Sequence, residues 1–172
     1  NTSFNNSLEL ANGSKIFKKN TYPRWYMEMQ SLGYNYRLPE IEAALGVSQL
    51  KRANQGIKIR RNIANQYYDF FKNKEYVINQ SGLIDGHAYH LYVIEVQNRL
   101  ELYNYLIENN IYVQIHYFPC HLMPYYQNLG WKEGDLPNSE NYYKNCISLP
   151  IFPTLKKDEL IYIFKTFNNF YD

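Results

Sequence analysis

Gly33-Tyr34-Asn35-Tyr36-Arg37-Leu38-Pro39-Glu40 opens the most informative stretch of this chain, and IEAALGVSQL carries it on to Leu50. An Asn amide can donate to a phosphate oxygen, and an Arg fork can bind one bidentately. Pro39 suits the first turn of a helix, and Glu40 and Glu42 suit the positive end of its dipole. Ala43, Val47, Leu50, Ile57, Ala64, Tyr68 and Phe71 follow at three-, four- or sevenfold spacing. That pattern predicts a helix from Pro39 to about Phe71, longer than the usual ~11–12 residues. Ala43, Ala44 and Gly46 allow close backbone approach near its start, and Gly56 marks a bend or a break. On physical grounds alone, residues 33–37 read equally well as an anion-binding loop or as a turn with a helix cap.

The 172 residues are enough for one domain and hardly for two. Hydrophobic residues make up 45%, so a packed core can form. With 19 tyrosines, many rings must be half-buried with the hydroxyl wet. The net charge of +2 gives no surface for nucleic acid or membrane. Lys58-Ile59-Arg60-Arg61 reads as a solvated helix face. Cys120 and Cys146 read as free thiols of a reducing cytoplasm rather than a disulfide framework. No apolar run approaches the ~18 residues a membrane span needs.

Upstream, 7–19 has weak helical character, and 20–37 reads as an aromatic loop. Downstream, Tyr76–Asn79 and Tyr89–Val96 are strand candidates, Arg99–Asn109 a helix and Ile111–Tyr117 a further strand. This alternation points to an α/β or α+β layer, helices packed on a small sheet. Residues 118–137 are loop around one short helix. A short helix over Ser139–Cys146, an extended Ser148–Pro153 and a last helix capped by Thr154 complete the chain. Leu160, Ile163, Phe164, Phe167 and Phe170 form the core face of that last helix.

The four histidines and Cys120 do not form two compact ligand pairs, so no metal site is expected. Cys120 and His121 are neighbours in sequence, and neighbours on an extended segment point apart, so they are not a nucleophile–base dyad.

Four segments resemble one family in its own order: GYNYRLPEIEAALGVSQL at 33–50, YHLYV at 89–93, HYFPCHLMPYY at 116–126, and LPNSE at 136–140 with ISLPIFP at 147–153. Together they resemble the DegT/DnrJ/EryC1/StrS aminotransferases, and the last two are most similar to the branch that makes the pseudaminic-acid precursor. The resemblance implies the C-terminal small domain of a fold-type-I aminotransferase. It places 1–38 with the end of the large cofactor domain and 39–172 in the small domain. It implies pyridoxal phosphate as cofactor, a cytoplasmic homodimer with sites at the subunit interface, and transfer of an amino group from glutamate to C4 of a UDP-linked 4-keto-6-deoxy sugar. The alternatives are another nucleotide-sugar aminotransferase and a non-catalytic dimerisation or regulatory module.

Carried over by motif, Asn35 is implied to reach the partner's cofactor phosphate, with Arg37 beside it. His116, Tyr117 and His121 are implied to line the sugar-nucleotide side of the partner's site, and His90 to be structural. The catalytic lysine is expected upstream of Asn1, because no lysine here has the family context. Lys15, Lys18 and Lys19 read as surface residues, and the chain alone is expected to be inactive.

Overall fold

The structure, a computed structural model, describes residues 23–172. The expected helix at 7–19, and with it Lys15, Lys18 and Lys19, lies outside the described residues.

Two compact units are present. One joins residues 23–34 with Gln114–Cys146, and the other joins Asn35–Val113 with Ile147–Asp172.

The second unit begins with α1 (Glu40–Leu50) and α2 (Ala53–Phe71). The single long helix expected from Pro39 to Phe71 is therefore two helices. Pro39 sits just before α1 in extended conformation, as its ring permits. The break falls at Lys51 and Arg52, where the Arg52 N–H turns back to Gln49 O at 3.1 Å. Gly56, expected at the break, lies inside α2 without interrupting it.

β1 (Val77–Gln80) and β2 (Tyr92–Val96) pair antiparallel, with Gln80 opposite Ile94, Val77 opposite Val96 and an irregularity between Val77 and Asn79. α3 (Arg99–Glu108) follows. β3 (Cys146–Leu149) completes a three-stranded sheet with β2 at its centre. α6 (Lys157–Tyr171) closes the chain. Its N-terminus is set by Glu159, which accepts the Lys156 backbone N–H at 2.7 Å, and not by Thr154.

The core of this unit follows from those elements. Tyr92, Ile94 and Val96 of β2 are fully buried, as are Tyr67 and Phe71 of α2, Leu102 and Leu106 of α3, and Phe167 of α6. The Tyr67 ring lies 5.1 Å from Tyr92, and Phe71 meets Phe167 edge-on at 5.1 Å. The buried Tyr67 hydroxyl donates to Pro150 O at 2.7 Å. Of the predicted face of α6, Leu160, Ile163 and Phe167 are buried, while Phe164 and Phe170 are half-buried.

Two other expectations are corrected. Arg60 does not belong to a solvated basic face: it turns inward and donates to the carbonyls of Tyr89, His90 and Ile151. Residues 111–117 are not a strand. Ile111, Val113 and Ile115 are buried in alternation with exposed Tyr112 and Gln114, but only Gln114 makes a β-bridge. Alternation reports a half-buried extended chain; a ladder also needs a neighbour with free backbone groups.

The first unit carries a 3-10 turn (Cys120–Leu122), α4 (Pro124–Gln127) and α5 (Pro137–Asn145). Pro137 takes the first helical turn of α5, where its missing N–H costs nothing. The Trp25 indole N–H donates to the Tyr143 hydroxyl at 3.2 Å. The Phe118 ring stands edge-on to Tyr26 and to Tyr143, at 5.3 Å from each. These contacts hold Trp25 and Tyr26 against Phe118 and α5.

Candidate functional site

The segment ahead of α1 has no regular secondary structure, and Asn35 and Arg37 are both exposed on it. The first N–H groups of α1 have no partner within the helix, as at any helix start. Glu40 and Glu42 occupy that same turn, so an anion at the bare helix end would meet two carboxylates. The Asn35 amide and the Arg37 guanidinium are the donors suited to a phosphate here. Both are presented outward on an exposed strip, so they suit a group held by another chain or another part of the protein. This donor set fits the phosphate of pyridoxal phosphate. It does not by itself enclose the cofactor ring.

In the other unit, His116 and Tyr117 meet edge-on at 4.6 Å. His116 is half-buried, and Tyr117 is 55% exposed. An imidazole and a phenol ring thus stand side by side.

His121 is placed differently. It is 5% exposed, and in the tautomer protonated at Nε2 it donates to Glu140 Oε1 at 2.9 Å. The same carboxylate oxygen accepts the N–H of Gly134 at 2.9 Å and that of Leu136 at 3.4 Å. Trp131 stands edge-on to the His121 ring at 6.4 Å. Burial pushes the Glu140 carboxyl up, but the hydrogen bond from His121, the two backbone N–H groups and the histidine charge outweigh it, and the net shift is below the usual carboxylate range.

The structure therefore brings His116 to Tyr117 and sets Asn35 and Arg37 on one strip, and it turns His121 inward onto a partner. Glu140 is the residue that sequence reasoning missed. Its only signal is its place at the end of the LPNSE segment, 19 positions from the histidine it holds. Cys120 is exposed while His121 is buried and engaged, so the two do not act as a pair. His90 is exposed beside a backbone carbonyl held by Arg60. Among the described residues no group of three or more His, Cys, Asp or Glu side chains converges, and no helix is long and apolar enough to cross a membrane.

A small sheet with helices packed on it is the fold this chain shares with its structural neighbours, fold-type-I sugar aminotransferases. The chain superposes on Helicobacter pylori PseC, an aminotransferase involved in the biosynthesis of pseudoaminic acid, with a TM-score of 0.70 and 29% identity, covering 87% of this chain and 42% of that one. Residues 4–168 match the DegT/DnrJ/EryC1/StrS aminotransferase family, and the chain belongs to that family. The spore coat polysaccharide biosynthesis protein SpsC of Bacillus subtilis is 40% identical over 145 residues, 79% of this chain and 37% of the relative. A UDP-4-amino-4,6-dideoxy-N-acetyl-beta-L-altrosamine transaminase of Campylobacter jejuni is 34% identical over 149 residues, 83% of this chain and 39% of the relative. The chain thus spans less than half the length of these relatives.

Proposed function

We propose that these residues form the C-terminal portion of a pyridoxal-phosphate-dependent sugar aminotransferase, a cytoplasmic homodimer that moves an amino group from glutamate to C4 of a UDP-linked 4-keto-6-deoxy sugar. In this reading 1–38 belongs with the end of the large cofactor domain and 39–172 with the small domain. The observation that carries it is the exposed Asn35–Arg37 pair at the entry to α1, within the longest of the four family segments.

When bound, pyridoxal phosphate supplies an electron sink that eases loss and return of a proton at the carbon bearing nitrogen. The chain's own residues bind and orient. The Asn35 amide donates to the phosphate of the partner's cofactor, and Arg37 adds a charge-assisted hydrogen bond beside it. His116 and Tyr117 present a ring nitrogen and a hydroxyl to the sugar nucleotide. His121 acts through position: fixed by Glu140, it holds the turn at Cys120–Leu122, which follows His116 and Tyr117 in the chain. The lysine that anchors the cofactor is supplied from outside these 172 residues.

Two measurements test this. Mixed with pyridoxal phosphate and reduced with borohydride, the chain should show no stoichiometric adduct on any one lysine by mass spectrometry; a single labelled lysine overturns the assignment. With the rest of the enzyme supplied, Asn35→Ala should lower cofactor affinity about tenfold or more, the worth of a hydrogen bond to a charged group. Unchanged retention removes Asn35 from the site.

A second reading keeps the chemistry and changes the sugar. It is favoured by the higher identity to the spore coat protein than to the altrosamine transaminase. Assaying amino transfer on UDP-, GDP- and dTDP-linked keto sugars separates the two.

A further inference from the structure

One face of α2 and its approach carries Arg52, Gly56 and Arg60 at steps of four residues, so the three lie in a row. The two arginines are about 12 Å apart along the helix at 1.5 Å per residue. They open on a cleft of about 760 Å³ whose opposite wall includes His90 and Pro153. Its volume falls within the roughly 300–1,000 Å³ of small-molecule sites. The remaining walls are mostly apolar, and among the described residues no aspartate or glutamate lines them.

Each guanidinium is held on one side only. Arg60 Nη1 is shared among the carbonyls of Tyr89 at 3.2 Å, His90 at 3.4 Å and Ile151. Its Nε and Nη2 have no acceptor among the described residues. Arg52 donates from Nε and Nη2 to Gln49 Oε1 at 3.0 and 2.8 Å, which leaves Nη1 over. Arginines already ordered by the protein lose less freedom when they take a ligand.

Between them, Gly56 keeps the floor open. A Cβ there would sit 3.5 Å from Pro153 Cγ and would join the two walls of the cleft. Glycine inside a helix costs about 1 kcal/mol relative to alanine, so its presence at the centre of this face needs a reason, and the open floor supplies one.

We infer that this cleft binds a small organic oxyanion, a carboxylate or phosphate head on a compact apolar body. Two arginines with no acidic neighbour among the described lining residues select the head, since the fork matches either oxyanion bidentately. The apolar walls take the body. None of Asn35, Arg37, His116, Tyr117 or His121 lines the cleft, so this site is separate from the one proposed for the amino transfer.

The test is a titration of the ¹⁵N-labelled 172-residue chain with phenyl phosphate, benzoate, inorganic phosphate and benzylamine. Phenyl phosphate and benzoate should shift amides at 52–60, 88–90 and 153–154, inorganic phosphate more weakly and benzylamine not at all. The tighter of the first two identifies the head group. Arg52→Glu should weaken binding at least about tenfold, and Gly56→Leu should abolish it. Arg52 is exposed, so its melting temperature should match the parent's, and Arg52→Gln serves if it does not. The proposal fails if benzylamine binds as tightly as phenyl phosphate, or if the folded Arg52 variants bind undiminished. It also fails if the shifts are confined to 35–37, a result that would leave the cofactor-phosphate reading standing.

Discussion

Glu140 and His121 show how much one buried pair decides. A single carboxylate oxygen gathers an imidazole and two backbone N–H groups. Glu140→Gln keeps the shape but replaces the charged acceptor, so it should cost about 1–3 kcal/mol, read as a melting temperature several degrees lower. The pH dependence has a definite sign. The folded carboxyl titrates below its ordinary value of 4.5, so the pair contributes its stability above that pH. The contribution is lost as the pH falls through the depressed folded value. The parent should therefore lose melting temperature more steeply below about pH 4.5 than Glu140→Gln does. Parallel acid limbs would show that the pair is not the titrating element. The sequence displayed the histidine but not its role. His121 sits beside Cys120 and within a run of site-like residues, whereas its partner lies a loop away. Asn35 and Arg37 could be proposed from the sequence because donors and helix start are consecutive, and local chemistry needs no tertiary partner to be read.

At the level of elements, what the sequence revealed depended on where the deciding partner lay. Helices α2, α3 and α6 were legible because each buries a face repeated along its own residues. The break between α1 and α2 was legible only as an expectation of a break somewhere, and glycine was the wrong marker. A helix tolerates glycine at a modest cost, and the turn at Lys51 and Arg52 is set by a backbone hydrogen bond that any residue can make. The strand expected at 111–117 was misread because side-chain alternation was taken for pairing. These distinctions carry two predictions. Gly56→Ala should stabilise the chain by up to about 1 kcal/mol, since the new methyl meets Pro153 at an ordinary van der Waals distance. A lower melting temperature would mean that Pro153 cannot accommodate it. Tyr67→Phe should cost about 1–2 kcal/mol in a denaturant melt, because it removes the hydroxyl that Pro150 O accepts at the junction of β3 and α6. A neutral outcome would show that the carbonyl finds another donor.

Across the whole chain, the well-packed elements contrast with α1. Eleven residues long, it has no buried residue, and Ile41, Leu45, Val47 and Leu50 are all strongly exposed. A helix shorter than ~12–15 residues is marginal in water without tertiary support, and several large apolar side chains exposed around one short helix mark a place where something docks. In the proposed homodimer α1 adjoins the Asn35–Arg37 donors, so cover on α1 and placement of the phosphate contacts are coupled. Amide exchange on the dilute chain should reveal the difference. α1 should exchange close to the unprotected rate, while the half of α2 holding Ile63, Ala64, Tyr67 and Phe71 should be protected by the core it enters. Raising the protein concentration, or supplying the rest of the enzyme, should slow exchange in α1 and leave α2 unchanged. Ile41→Gln with Leu45→Gln should change the stability of the dilute chain by no more than about 0.5 kcal/mol, as exposed substitutions do, and should abolish the concentration-dependent protection. If α1 in the dilute monomer is as protected as α2, the helix is self-sufficient, and its exposed apolar residues have some purpose other than assembly.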